Sequence, residues 1–446
     1  MDELAWVYLT VALMAGTLLY RAARRSFDPF EPIWLYFVGY AQVYVIQALS
    51  YHEWAVNARG AELVAGANCR ATWALAWFLG VYFVCPGRVL AKGLPGPPRA
   101  WSRTTVYVLS PLLLAWGLAC ARGSMWLAGD SAAGSAEASL ALSFPLVMLV
   151  GGVLLIVTGR QPSRPMPALA ALGVGTVALY MVLWMFIGRR AHALMAVLIG
   201  VCSFYLPRLR RPSPPILLAT AVSGALAVGI AIGWRYFVHH NPDQKSGAGF
   251  LQFVATFDPG TILESLNLKE GEGAPNPKAT KETEEYGGFL LMMDTVPGKS
   301  DYDYGMNYLR CFSTFIPRIV WEDKPLFGRE QWKAAWVAGS EQKRTMEFYG
   351  PAIGILGATQ LNGGAGGTMI VLGAIAVMLR SAYEYFRRYA DVPWVQVFWP
   401  LFYYNAWFMT VNDDPANWFY YNYGFTTMPP LIVLWFANKL QGGAAA

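Results

Sequence analysis

The sequence contains several apolar runs that are about as long as a lipid bilayer is thick. Thr105 to Cys120, Phe144 to Thr158 and Pro215 to Ile232 carry no charged side chain, and about 20 residues of helix cross the roughly 30 Å of hydrocarbon in a bilayer. In lipid, a single segment satisfies its own backbone hydrogen bonds only as a helix. With 55% hydrophobic and 14% charged residues, the chain is predicted to be an all-α integral membrane protein.

The first apolar stretch predicts how the chain enters the membrane. It covers residues 4–20 and is flanked by Asp2 and Glu3 on one side and by Arg21, Arg24 and Arg25 on the other. This charge order is the reverse of that in a signal peptide, so the segment is expected to be retained as a first helix. Because short cytoplasmic loops collect Arg and Lys, its N-terminus is predicted to lie outside.

The later basic clusters extend this assignment to eleven spans with the N-terminus outside and the C-terminus inside. The predicted spans are residues 4–20, 32–50, 71–86, 105–120, 139–158, 167–187, 193–207, 215–234, 366–386, 393–411 and 419–438. The chain therefore divides into spans 1–8 (1–234), one large outer loop (235–350) and spans 9–11 (351–446). This arrangement places nearly all Arg and Lys of the short loops inside.

The cysteines and histidines do not form a recognisable metal or disulfide pattern. The five cysteines, Cys69, Cys85, Cys120, Cys202 and Cys311, have no paired spacing and most lie in or beside apolar runs, so they are interpreted as small hydrophobic residues. No two histidines have a helical spacing that binds metal. No metal and no cofactor is predicted.

The large outer loop has two kinds of composition. Residues 264–285 are rich in Glu, Lys, Gly and Pro, and this composition predicts disorder. Residues 302–336 are dense in aromatic and basic side chains, as is typical of a functional loop. Within them, Gly328 to Trp336 has the pattern of a short amphipathic helix at the membrane surface.

Arg189 and Arg190 depart from the charge rule, because they lie on a very short turn that the assignment places outside. Two interpretations remain open at this stage. The side chains either extend to lipid headgroups or point into an outward cavity and bind an anion. The planar guanidinium group is well suited to phosphate oxygens.

A second group of unusual residues lies in the aromatic part of the loop. Pro317 and Pro325 restrict the backbone on both sides of Arg318 and Lys324. Aromatic rings in this region offer flat faces of the kind that stack on sugars. Two carboxylates between the cations either accept a proton from a hydroxyl group or form local salt bridges with the cations, and both interpretations remain open.

These segments resemble the signature of the bacterial oligosaccharide repeat-unit polymerases (O-antigen polymerase, Wzy-type). The matching positions are Tyr304, Gly305, Tyr308, Ile316, Pro317, Arg318, Trp321, Asp323, Lys324 and Pro325. The turn Gly188-Arg189-Arg190 and the segment Leu361-Asn362-Gly363 to Gly366 resemble two further motifs of the family. Where the family has Gly-Glu before that Asn, this chain has Gly357-Ala358, so the role of that carboxylate does not carry over.

The resemblance implies a glycosyltransferase in the bacterial inner membrane. Such enzymes join undecaprenyl-diphosphate-linked repeat units at the periplasmic face during synthesis of O-antigen, capsule or exopolysaccharide. The implied partners are a lipid-linked glycan donor, a lipid-linked acceptor, the bilayer and a chain-length regulator protein, and no nucleic acid is expected.

The implied site residues fall into three groups. The catalytic candidates are Arg318, Asp323, Glu322 and His192, with Asp303 as a further candidate for accepting the proton. The candidates for binding the diphosphate are Arg189, Arg190, Lys324, Arg310 and Arg235. The candidates for binding the glycan are Tyr304, Tyr308 and Trp321.

Three other functions fit parts of the same sequence. A ligase that transfers the finished glycan would need the same architecture and the same arginines. A flippase or transporter would instead carry charged or broken helices at mid-membrane, often in repeated halves. A non-catalytic partner of the assembly machinery is the third alternative.

Overall fold

The computed structural model describes residues 2–127, 146–258, 285–306, 308, 321, 353–411 and 426–444. Within these ranges the protein is helical and has no strand, in agreement with the predicted all-α class. The amphipathic helix predicted at residues 328–336 and residues 264–284 of the predicted disordered segment lie outside the described residues.

Sixteen helices, α1 to α16, are described and follow one another in chain order. They are α1 Glu3–Ala23, α2 Ile33–Ser50, α3 His52–Arg59, α4 Ala61–Val84, α5 Gly87–Gly93, α6 Arg103–Leu127, α7 Leu146–Arg160, α8 Pro167–Ile187, α9 Arg190–Tyr205, α10 Pro214–His240, α11 Gly247–Ala255, α12 Glu285–Thr295, α13 Gly354–Arg388, α14 Pro393–Tyr403, α15 Asn405–Val411 and α16 Met428–Ala444. Short 3₁₀ turns follow α9 and α10.

Seven of the described helices are long and apolar enough to cross a membrane, and an eighth is obtained if α4 and α5 form one bent span. These helices are the basis for treating the chain as a multi-pass membrane protein. The number of such helices is smaller than the eleven predicted spans, because three of the predicted spans are described only in part or as two shorter helices. Helix α7 is described for only 15 residues, the predicted tenth span is divided into α14 and α15, and the eleventh is described only from residue 426.

The contacts divide the chain into two compact units. Unit 1 contains residues 1–95, 280–387 and 405–421, and unit 2 contains residues 96–279, 388–404 and 422–446. Each unit thus combines segments that are far apart in sequence, whereas the sequence-based division was linear.

Charged residues from three parts of unit 1 meet at one end. Glu31, which is fully buried, accepts hydrogen bonds from Arg21 at the end of α1 and from Arg380 in α13. The hydroxyl of Tyr82 in α4 also donates to Glu31, at 3.2 Å. Arg380 in turn pairs with Glu384 at 2.6 Å. The network therefore links α1, α4 and α13.

This network explains why charges are tolerated in an apolar bundle. A buried ion pair is stable only when further hydrogen bonds satisfy both partners. Arg88 and Arg387 also contact Glu384, and the hydroxyl of Tyr383 donates to Asp28 at 2.8 Å. Arg21, Arg88 and Arg387 are all residues that the charge rule assigns to the cytoplasmic face, and the structure places them at the same end of unit 1.

Helix α12 shows that part of the predicted outer loop belongs to the core of unit 1. Its residues Tyr286, Phe289, Leu290 and Met292 are fully buried. Glu285, which the sequence placed at the end of a disordered segment, is instead the buried first residue of this helix, so that prediction is wrong at this position. The reason is a specific partner, because Gln47 in α2 donates to its carboxylate at 2.6 Å. Burial also raises the pKa of the Tyr286 phenol.

Helix α13 is broken near its start. Gly363 and Gly364 have non-helical backbone angles, and the φ of +58° at Gly364 strongly favours glycine. The chain reverses here, because the hydroxyls of Thr359 and Thr368 lie 2.9 Å apart although nine residues separate them. The predicted ninth span (366–386) therefore corresponds to the second part of α13, while residues 354–362 form a separate short, buried helix.

Unit 2 is built around α7, in which every residue from Leu146 to Gly159 is buried. Small residues allow close packing of this helix against α8. A Cβ on Gly173 would lie 2.7 Å from the carbonyl oxygen of Gly152, and one on Gly159 would lie 2.5 Å from the backbone nitrogen of Ala170. Such glycine contacts are typical of helix pairs in membranes.

The charged network of unit 1 predicts the effect of removing its central carboxylate. Glu31→Gln leaves Arg21 and Arg380 without a full negative charge, and we expect a loss of about 3 kcal/mol in stability. Glu62→Gln, at an exposed position in the first turn of α4, is the control and should change stability by less than about 0.5 kcal/mol. Thermal unfolding of the solubilised protein measures both, and equal melting temperatures would contradict the role given to Glu31.

The charge-based topology predicts the result of reporter fusions. A reporter enzyme that is active only outside the cytoplasm should be inactive when fused after Arg211 and active when fused after Lys245, because α10 lies between these positions. The opposite pattern of reporter activity would show that the predicted orientation of the chain is wrong.

Candidate functional site

The turn between α8 and α9 places two arginines at one end of unit 2. Gly188 ends α8 in a left-handed conformation with φ +80°, its N–H donates to the carbonyl of Met185, and the N–H of Arg189 donates to the carbonyl of Trp184. This pair of hydrogen bonds is the Schellman motif that closes many helices at glycine. Arg190 then begins α9.

A third arginine reaches the same turn from α10. A Cβ on Gly188 would lie 2.9 Å from the Cβ of Arg235, so the aliphatic part of Arg235 lies directly against the glycine. The neighbouring Trp234 donates from its indole nitrogen to the carbonyl of Phe186 at 2.7 Å, which joins the ends of α8 and α10. Arg189, Arg190 and Arg235 thus form a group, which we call the arginine turn.

The arginine turn rests on a packed apolar base. Met185, Ala193, Ala231, Trp234 and Phe250 form one buried cluster below it. Phe250 belongs to α11, so the segment after α10 folds back onto this end of unit 2. A rigid base of this kind limits the movement of the backbone that carries the three guanidinium groups.

His192 lies in the first turn of α9, two residues after Arg190, against an aromatic ring. Its imidazole stacks on the indole of Trp184 with 4.2 Å between ring centroids and an interplanar angle of 17°. Its Nδ1 is buried and has no hydrogen-bond partner within the described ranges. The predicted catalytic candidate is therefore held in a fixed orientation close to Arg189.

The arginine turn has the composition of a site for a multiply charged anion. Arg189 and Arg235 are exposed and Arg190 is half-buried, so their guanidinium groups remain accessible. Three positive charges gather where α9 begins, and the N-terminus of a helix also favours negative charge. Guanidinium groups bind phosphate oxygens through paired hydrogen bonds.

The described aromatic candidates lie in unit 1, beside the break in α13. The N–H of Asp303 donates to the carbonyl of Leu361 at 2.9 Å, which attaches the loop to the first part of α13. Tyr304, with φ +47°, and Gly305, with φ +81°, form the turn that follows. The ring of Tyr304 is 78% exposed and thus accessible, while Tyr308 is half-buried.

Among the remaining site candidates, Trp321 belongs to the described residues. Trp321 is half-buried. The assignments of five further candidates stay predictions, because these residues lie outside the described ranges: Arg310, Arg318, Glu322, Asp323 and Lys324.

No protein-family model, no curated protein and no solved structure matches this chain.

Sequence reasoning missed a buried and a half-buried polar residue of unit 1, Asn68 and Arg70. Arg70 and Asn68 lie within α4, because this helix begins at Ala61 rather than at the predicted residue 71. Asn68 accepts a hydrogen bond from the hydroxyl of Tyr286 at 2.8 Å, and Arg70 donates to Gln360 at 3.1 Å. The signal was present, since helical periodicity through Val64, Ala67 and Ala71 continues past both polar residues.

The geometry of the arginine turn predicts the effect of adding a single methyl group. In Gly188→Ala the left-handed backbone costs about 1–2 kcal/mol, and the new Cβ displaces Arg235. We therefore expect a lower melting temperature. Gly175→Ala in the same helix is the control, because a Cβ there meets nothing within 4 Å and alanine favours helix by about 1 kcal/mol. Equal effects of the two substitutions would contradict the described packing.

Proposed function

We propose that this protein is a membrane glycosyltransferase that joins undecaprenyl-diphosphate-linked oligosaccharide repeat units. The reaction takes place at the periplasmic face of the bacterial inner membrane and contributes to O-antigen, capsule or exopolysaccharide synthesis. The observation that carries the proposal is the arginine turn, in which Arg189 and Arg190 at the start of α9 meet Arg235 from the last part of α10. The motif resemblance between Tyr304 and Pro325 supports it independently.

The proposed reaction transfers a glycan from a lipid diphosphate to a sugar hydroxyl. The oxygen of the acceptor hydroxyl forms a bond to the anomeric carbon of the donor, and the bond between that carbon and the diphosphate oxygen breaks. Undecaprenyl diphosphate leaves with the bonding electron pair. Cations that bind this group more tightly as its charge develops lower the barrier.

The arginine turn supplies such cations in unit 2. Arginine keeps its positive charge at any physiological pH, so the site needs no proton uptake to bind the leaving group. Arg310, Arg318 and Lys324 are further candidates for this role from the motif.

A second requirement is a group that accepts the proton of the acceptor hydroxyl. The candidates are His192, Asp303, Glu322 and Asp323. His192 fits by its position two residues after Arg190 and by its stacking on Trp184. The aromatic rings of Tyr304, Tyr308 and Trp321 are proposed to contact the sugars, for which exposed flat faces are suited.

A ligase that transfers the finished glycan to another acceptor is the second candidate function. It would use the same leaving group and therefore the same arginine turn. The motif around Arg318 favours the polymerase. A flippase is less favoured, because the arginine turn lies at the helix ends of unit 2 rather than at mid-helix.

The glycan profile of a deletion strain separates these functions. We expect a strain without the gene to accumulate glycan of one repeat unit, because donors and acceptors still form but are not joined. Electrophoresis of the surface glycan measures chain length. Long chains that remain on the lipid carrier would contradict polymerisation in favour of ligation, and loss of all outer-face glycan would favour a flippase.

Substitution in the arginine turn tests the site itself. Restoring the deletion strain with an Arg189→Gln and Arg190→Gln double variant should give single-repeat glycan, with transfer reduced by about 100-fold or more through loss of transition-state contacts. Lys245→Gln, an exposed basic position five residues after α10, is the control and should restore full-length chains. Full-length chains from the double variant, at equal amounts in the membrane, would exclude the site.

A further inference from the structure

Arg70 is an arginine inside a long apolar helix. It lies nine residues after the start of α4, which is about 14 Å along the helix axis. Ionisable residues at such positions in membrane helices are costly and usually serve a function. The presence of this charge within α4 therefore suggests a function for Arg70.

The described partners of Arg70 do not neutralise its charge. Its Nη1 donates to the amide oxygen of Gln360 at 3.1 Å, and its guanidinium lies 5.2 Å from the ring centroid of Trp73. Within the part of the chain that the structure describes, Arg70 forms no ion pair. It is half-buried and cannot lose its proton.

The other half-buried arginines of unit 1 show the contrast. Arg21 and Arg380 share the carboxylate of Glu31, and Arg380 also binds Glu384. In unit 1, arginines that join helices to one another are thus paired with carboxylates. Arg70 has a neutral amide where these residues have a carboxylate. Among the described residues no other group accepts a hydrogen bond from its guanidinium, whose planar shape suits two parallel hydrogen bonds to an oxyanion.

Hydrogen bonds position the residues around Arg70. Gln360, at the end of the first part of α13, donates from its amide nitrogen to the carbonyl of Val296 at 2.7 Å, so its oxygen is directed to Arg70. The N–H of Asp303 bonds to the carbonyl of Leu361, which fixes the neighbouring Tyr302. Arg70 and Tyr302 are both held against residues 360–364.

The break in α13 brings further donors to this place. Gly364 has no side chain, and a Cβ there would lie 2.7 Å from the hydroxyl of Tyr302, so only glycine lets this hydroxyl approach the backbone. Among the residues that the structure describes, none forms a hydrogen bond with the Tyr302 hydroxyl. The second part of α13 also begins here, and the first N–H groups of a helix have no partner within the helix.

We propose that Arg70, Tyr302 and the break at Gly364 form a binding site for a phosphate-class oxyanion in unit 1. A tetrahedral anion accepts hydrogen bonds from several directions at once, which matches a guanidinium edge, a phenol and the start of a helix. The phosphoryl group of a lipid and a free phosphate share this chemistry. The site belongs to unit 1, whereas the arginine turn belongs to unit 2, and the inference does not depend on the proposed glycosyl transfer.

Binding is tested in the full-length protein with Arg189→Gln and Arg190→Gln, so that anions bound at the arginine turn do not mask the result. The first arm adds inorganic pyrophosphate to protein in neutral detergent, and the second compares nanodiscs of phosphatidylglycerol with nanodiscs of phosphatidylcholine. The melting temperature as a function of ligand concentration gives the affinity. Stabilisation by pyrophosphate indicates a free-anion site, and stabilisation only by phosphatidylglycerol indicates a lipid headgroup.

Substitution of the site residues gives the decisive comparison. Arg70→Gln should weaken binding by at least about tenfold, because it removes a pair of charge-assisted hydrogen bonds. Tyr302→Phe should weaken it by about threefold to tenfold and leaves the charge in place, so it serves as a second variant if Arg70→Gln fails to fold. Arg59→Gln, whose arginine pairs with Asp294 in the same unit, is the matched control and should bind normally.

The ligand-free proteins distinguish binding from a structural role. If Arg70 binds a ligand, Arg70→Gln should melt at the same temperature as its parent or higher without ligand, because an unbalanced charge is removed. The proposal is wrong if neither arm stabilises the parent protein, or if Arg70→Gln responds to the anion like the parent. A lower melting temperature without ligand, together with an unchanged ligand response, would make Arg70 structural.

Discussion

The cost of holding a positive charge inside an apolar bundle shapes this protein more than any other constraint. Arginine cannot become neutral, so each buried or half-buried guanidinium needs a partner. Glu31 provides one for Arg21 and Arg380, and this network joins α1, α4 and α13 at one end of unit 1. Arg70 is different, because within the described residues it forms no ion pair and its hydrogen-bond partner is the neutral amide of Gln360. We assign Arg70 to a ligand for this reason, and we assign the arginine turn to a ligand because three arginines meet there beside the start of a helix.

The sequence was most informative where apolar runs end at clear boundaries. Helix α8 has the predicted limits, since Pro167 begins it and Gly188 ends it. The start of α4 was predicted ten residues too late, because Glu62 and Arg70 were interpreted as loop residues. Polar residues with specific partners, such as Glu285 with Gln47, have no local signature, since the partner is 238 residues away.

In the candidate site, too, local signals could be recognised in the sequence, whereas tertiary contacts could not. Arg189 and Arg190 could be selected from sequence, because they break the charge rule on a short turn. Arg235 was also a candidate, but only the structure shows that it packs on Gly188. The break in α13 could be anticipated from Gly363 and Gly364, but the reversal of the chain and the position of Tyr302 depend on tertiary contacts. Roles for Arg318, Asp323 and Lys324 rest on the motif alone.

Product formation by the purified protein tests the central claim most directly. The protein would be placed in nanodiscs with an undecaprenyl-diphosphate-linked repeat unit, and release of undecaprenyl diphosphate would be followed by phosphorus NMR together with glycan length. The account predicts one released carrier for each new linkage, with no added nucleotide. Linkage formation without release of the carrier diphosphate, or no reaction at all with an authentic repeat unit, would contradict it.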